Sequence, residues 1–168
     1  MTHEPYIDQK DLENRALRVL EDYRIEKPVV DVAKIASGLG ISIKEIDMPK
    51  GHEDVAGFYE KESKTIYIEK KDPPQRKLFS IAHELGHIFL GHQHATVLYR
   101  IVRPDQKYPK EESAANSFAA HLLMPNYMLQ YYMDRFDLTK SDYGKLANIF
   151  GVPVSSMRHA LERLEYNA

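Results

Sequence analysis

The stretch Ile81-Ala82-His83-Glu84-Leu85-Gly86-His87-Ile88-Phe89 decides how this chain is read. Its centre has the form H-E-x-x-H. On an α-helix, residues four apart lie nearly above one another, offset by about 40° around the axis and about 6 Å along it. Both imidazoles can therefore reach one tetrahedral zinc ion at roughly 2.0–2.1 Å. Glu84 lies beside such an ion rather than under it, where its carboxylate can hold and deprotonate a water that the metal activates. The alternative is a solvated helix surface that matches the pattern by chance. The flanking residues argue against it, because Leu78, Ile81, Ala82, Leu85, Ile88 and Phe89 mark a buried amphipathic helix. Two histidines and a glutamate are costly there unless something satisfies them. A metal site is expected, with His83 and His87 as ligands and Glu84 as general base.

Outward from this helix the chain divides into a strand-rich first part and a helical second part. Asp72-Pro73 is expected to start the helix, with Asp as N-cap and Pro at the first helical position. Upstream, Thr65 to Glu69 alternates as a strand, and Val55 to Glu60 and Ile41 to Ile46 are two more. Asp8 to Arg24 reads as a helix carrying Leu12, Ala16, Val19 and Leu20 on one face. Asp31 reads as the cap of a short helix closed by Gly40. Downstream, residues 92–110 have no clear period and read as a loop or lid beside the site. Glu111 to Met124 is a strong helix stopped by Pro125, and Asn126 to Phe136 is another. Ser141 to Phe150 and Ser155 to Glu165 form a last helical pair around Gly151. The expected fold is α+β, a small antiparallel sheet of three strands packed on a mainly helical domain.

The 168 residues suffice for one domain with a real core, and 43% hydrophobic with 29% charged residues is ordinary for a globular protein. A net charge of −2 gives no global pull toward nucleic acid or anionic lipid. The chain has no cysteine, so disulfides are excluded and any zinc must be held by His and carboxylate. Met1 to Asp11 is polar and acidic, without the apolar core of a signal peptide, and no stretch approaches a membrane span. A cytoplasmic protein is expected.

Two histidines and a water leave zinc one protein ligand short. The candidates are His92, His94, His121, Glu111 and Glu112. His92 lies half a turn away from His83 if the helix continues. The extended pattern H-E-x-x-H-x-x-G-x-x-H requires Gly and His where this chain has Leu90 and Gln93. His94 could reach only if Gly91 turned the chain back. Glu112 heads a helical stripe of Ala115, Asn116, Ala119 and Ala120, small side chains that let one helix approach another closely. His121 is rotated to the other side of that helix, and Glu111 reads as a solvated first-turn acid. Glu112 is favoured as the third ligand over the bland role of charge at a helix N-terminus.

The same residues carry a family resemblance. Ile81 to His87, followed by Glu112-Ser113-Ala114-Ala115-Asn116-Ser117-Phe118-Ala119-Ala120-His121-Leu122-Leu123-Met124-Pro125, resembles the ImmA/IrrE zinc metallopeptidases. Val30 to Ile41, Gly57-Phe58-Tyr59 with Ile66-Tyr67-Ile68, and Leu146 to Val152 extend the likeness over about residues 28–164. The resemblance implies a gluzincin-like site with Zn2+ on His83, His87 and Glu112, and Glu84 as general base. It implies a zincin-like domain over 1–136, and the remaining 137–168 read as a helical, helix-turn-helix-like subdomain packed on the same core. It also implies a partner, because members are typically encoded beside an Xre-type helix-turn-helix repressor, and several relieve repression by cleaving it. Their settings are mobile elements, toxin–antitoxin pairs and stress responses. Some members carry an N-terminal Xre domain; none is found here, so the repressor is expected to be a separate protein. Where the family often has Arg-Leu in its last helix this chain has Ala160-Leu161, and no role passes to that arginine.

Three further assignments follow. Thr65 to Glu69 is the expected strand for pairing with an extended substrate. Tyr59 or Tyr67 could steady the oxyanion, against the plainer role of an aromatic packed on the sheet. Asn116, one turn beyond Glu112, could orient a ligand, or serve as a structural amide. Two other classes are weighed. One is a zinc module that binds a repressor without cutting it. The other is direct DNA binding by the last helix through Arg158, His159, Glu162 and Arg163, which the balanced charges after Asp137 disfavour.

Overall fold

The computed structural model of the protein describes residues 8–92 and 110–166. Asp8 caps the first helix, α1 (Gln9–Asp22), by accepting from the backbone N–H groups of Lys10 and Asp11. Leu12, Ala16, Val19 and Leu20 face inward. Asp31 caps α2 (Val32–Gly38) by accepting from Lys34 N–H, as its side chain and position predict. Residues 93–109 are outside the described residues, and with them His94 and the expected lid.

The sheet departs from expectation in its pairing. It contains β1 (Ser42–Ile46), β2 (Gly57–Glu60) and β3 (Thr65–Glu69), in the spatial order β1-β3-β2. β2 and β3 form the antiparallel hairpin, with Gly57 opposite Ile68 and Glu60 opposite Thr65. β1, however, runs parallel to β3, with Ser42 beside Thr65 and Ile46 beside Glu69. The sheet is mixed because residues 47–56 carry the chain past one strand position, and β3 then fills the gap. With both flanks paired, β3 has no free edge to offer a substrate. Among the described residues, the outer strands are β1 and β2.

Strand alternation sorts the aromatic residues. Ile66 and Ile68 are buried on one face. Tyr67 points the other way and stacks on Phe58, ring centroids 4.9 Å apart, with its hydroxyl 3.4 Å from a Glu60 carboxylate oxygen. Tyr59 opposes Ile66 and packs on the core. The helices cover that core face, for a Cβ added to Gly57 would lie 3.7 Å from Cβ of Ser80.

Ser80 belongs to α3 (Pro74–Phe89), the helix of the H-E-x-x-H stretch, buried from Ser80 to His87. Asp72 does not cap it. Pro74 occupies the first helical position, so the cap falls on Pro73, and Asp72 instead lies 3.8 Å from Arg76. α4 (Lys110–Leu123) packs along α3 and against α1. α5 (Asn126–Arg135), α6 (Tyr143–Phe150) and α7 (Val154–Tyr166) follow. Leu146, Phe150, Met157 and Leu161 join the same buried cluster as Ile66, Leu85 and Phe118. No helix among the described residues is long and apolar enough to cross a membrane.

Candidate metal centre

The centre forms where α3 and α4 touch backbone to backbone. A Cβ added to Gly86 would sit 3.0 Å from the carbonyl oxygen of Ala115 and 3.2 Å from its Cα. Glycine on one helix and the alanine stripe on the other permit this approach. It brings a short carboxylate on α4 to the histidines on α3.

Nε2 of His83 and Nε2 of His87 lie 3.0 Å apart. One oxygen of Glu112 is 3.0 Å from Nε2 of His83, and the other is 3.0 Å from Nε2 of His87. All three side chains are buried. Among the described residues, neither Glu112 oxygen accepts a hydrogen bond. The reason lies on the far side of the rings. Nδ1 of His83 is 2.6 Å from Oδ1 of Asn116, an acceptor, so Nδ1 carries the proton and Nε2 is left as a lone pair. Lone pairs of His83 and of both Glu112 oxygens thus converge in a buried space, an arrangement that needs a positive charge at its centre.

This donor set fits a cation. Bonds of roughly 2.0–2.1 Å in tetrahedral geometry separate ligand atoms by about 3.3–3.4 Å, close to the triangle observed. His83, His87 and Glu112 could hold one metal ion, and two imidazoles with a carboxylate suit zinc. Glu84, next to His83 on α3, is fully buried.

The remaining candidates separate. Asn116 meets His83. Glu111 is exposed, in keeping with a first-turn acid. His121 is buried away from the metal centre, without a partner for Nδ1 among the described residues. Tyr59 lies on the sheet face toward α3 and Tyr67 on the opposite face. His92 departs from expectation. α3 stops at Phe89, Gly91 adopts φ +71, and the N–H of His92 returns to the carbonyl of His87 at 3.0 Å. Nδ1 of His92 then lies 2.8 Å from Nδ1 of His87. Burial lowers the pKa of His92, which favours the neutral ring. Gly91, a residue that readily turns a chain back, is the signal in the sequence for this return.

The last helix offers little free basic surface. Nε of Arg163 donates to Oδ1 of Asn126 at 3.0 Å and Nη2 to the carbonyl of Met124 at 2.6 Å. Arg158 lies over the Tyr143 ring, 4.2 Å from its centroid.

Residues 36–162 match the profile of the IrrE N-terminal-like domain, peptidase family M78. The chain belongs to this family. Among its relatives is the radiation response metalloprotease IrrE of Deinococcus radiodurans, 30% identical over 80% of this chain and 40% of that protein. The IrrE of Deinococcus deserti is 32% identical over 68% of this chain and 41% of its own length. An uncharacterized immunity region protein 2 of Bacillus phage phi105 is 28% identical over 81% of this chain and 80% of that protein. This M78-family chain therefore spans about two fifths of the length of either IrrE protein. A solved structure described as a Mycobacterium tuberculosis transcriptional regulator matches with a TM-score of 0.64 and 19% identity, over 88% of this chain and 45% of that one, a likeness of fold. The M78 family and the IrrE relatives suggest metallopeptidase activity, and the profile spans both the H-E-x-x-H helix and α4.

Proposed function

We propose that the protein is a zinc-dependent endopeptidase that cleaves a separate Xre-type helix-turn-helix repressor and so relieves repression. The observation that carries the reading is the buried convergence of His83 Nε2, His87 Nε2 and both Glu112 oxygens beside buried Glu84. Zinc bound there would supply Lewis acidity to the scissile carbonyl and the attacking water. Three protein ligands leave a position open, as catalytic zinc sites do. Glu84 takes the proton from the water during attack and passes it to the leaving amine. Asn116 holds the ring of His83 so that Nε2 stays turned to the centre. β2 is the proposed docking edge for an extended substrate, since among the described residues it is the outer strand of the sheet that packs on α3. Tyr59, on the core-facing side of β2, is the remaining tyrosine candidate for steadying the oxyanion.

The test is incubation of the zinc-loaded protein with the Xre-type repressor encoded beside it, read by intact mass. Discrete fragments are expected, lost with chelator and reduced at least ~10²-fold by Glu84→Gln. A repressor that is bound but never cut, or that is cut equally by Glu84→Gln, would overturn the assignment.

A further inference from the structure

His92 stands at the end of the metal-site helix without being one of the three converging side chains. The turn at Gly91 brings its ring against His87, centroids 5.1 Å apart and planes at 63°. The two Nδ1 atoms are 2.8 Å apart, a distance at which they share a single proton. Two protons there would collide, and none would set two lone pairs against each other. The placement of that proton has consequences on the far side of His87. If His92 donates it, the proton of neutral His87 sits on Nε2, directed at Nε2 of His83 and Glu112, each 3.0 Å away, and it blocks ligation. If His87 donates it, Nε2 is a lone pair aimed at the same point as that of His83.

We propose that His92 is a positioning residue for the metal centre: its bare Nδ1 accepts the Nδ1 proton of His87 and holds that ring with Nε2 presented to the metal. This rests on the metal-binding part of the function proposed above. The two histidines are then oriented by different means. His83 is held by the amide of Asn116, from the neighbouring helix, and His87 by an imidazole that the chain itself folds back. Partners of this kind commonly change metal affinity by about 10–100-fold when removed.

The test uses the full chain. In the zinc-loaded, 15N-labelled protein, His87 should show a protected Nδ1 proton with a trans-hydrogen-bond nitrogen–nitrogen coupling to Nδ1 of His92. Zinc affinity, measured by chelator competition, should fall about 10–100-fold in His92→Leu. It should recover in His92→Asn, whose Oδ1 can stand where Nδ1 stood and accept the same proton. Cobalt substitution should show an altered visible spectrum in His92→Leu alone. Wild-type affinity in His92→Leu, or a protonated Nδ1 on His92 in the zinc-loaded protein, would overturn the proposal. The spectrum of the unmodified protein decides the matter even if His92→Leu fails to fold. Weakened zinc binding by His92→Leu in a protein that cuts no repressor would support the role of His92 while overturning the peptidase reading.

Discussion

Oδ1 of Asn116 lies 2.6 Å from Nδ1 of His83. Asn116 follows Glu112 by one turn of α4, so one helix face supplies both a candidate ligand and the acceptor that orients a ligand on the facing helix. Asn116→Leu removes the acceptor and should weaken zinc binding about 10–100-fold by chelator competition. Asn116→Asp keeps an acceptor and should bind much more tightly than the Leu variant. Equal affinity of the Leu variant and the wild type would remove Asn116 from the centre.

The backbone contact at Gly86 should resist a side chain. Alanine gains up to ~1 kcal/mol of helix propensity over glycine. Against that, its Cβ would meet the Ala115 carbonyl oxygen at 3.0 Å and Phe118 Cδ1 at 3.3 Å, and Ala115 belongs to a helix that moves only as a unit. Overpacking should prevail, with Gly86→Ala losing about 1–2 kcal/mol in urea unfolding. Zinc affinity should fall with it, because displacing α4 carries Glu112 away from the histidines. A variant as stable as wild type with unchanged affinity would show that the helices are not held this close.

His121 gives a pH signature independent of the metal centre. Burial, reinforced by the charge of Arg163 and only partly opposed by Glu13, pushes its pKa down from 6.5 to about 4. The unfolded chain takes up a proton through that interval while the folded protein does not. The stabilising contribution is therefore complete above about pH 6.5 and is lost as the pH falls toward about 4. The loss should be roughly 1–3 kcal/mol over that window, as the difference in denaturant midpoints between wild type and His121→Leu. Parallel pH profiles for the two proteins would exclude the effect.

Arg163 joins α7 to the α4–α5 junction through its bonds to the Met124 carbonyl and Asn126. Burial lowers its pKa to about 10, so it remains charged at neutral pH. Arg163→Met should cost about 2–3 kcal/mol, because it strands a carbonyl and an amide that a cation now satisfies. It should also raise the pKa of His121, narrowing the acid-sensitive window. Unfolding at pH 7 and pH 5 reads both effects. An unchanged window would show that Arg163 does not act on His121.

Local pattern made much of this protein legible. Thr65 to Glu69 alternates, and β3 has those limits. Asp31 precedes an apolar helical pattern and caps it through Lys34 N–H. Four-residue spacing was enough to put His83 and His87 on one face, and the alanines after Glu112 marked a helix able to come close. Each of these features is decided within one or two turns of chain, where covalent geometry and side-chain size leave few alternatives.

What the tertiary structure alone decided concerns neighbours. Period two states which side of a strand is buried but not which strand lies beside it, so the parallel pairing of β1 and the central place of β3 were not readable. Period 3.6 places His92 half a turn from His83 only while the helix lasts, and the helix ends at Phe89. Arg163 reads as a surface cation until α5 supplies Asn126 thirty-seven positions away. The sequence by itself determined the elements, their buried faces and the residue types able to bind a metal. Packing decided the sheet order, the turn that brings His92 to His87 and the contact at Gly86, because these depend on distances between segments remote along the chain.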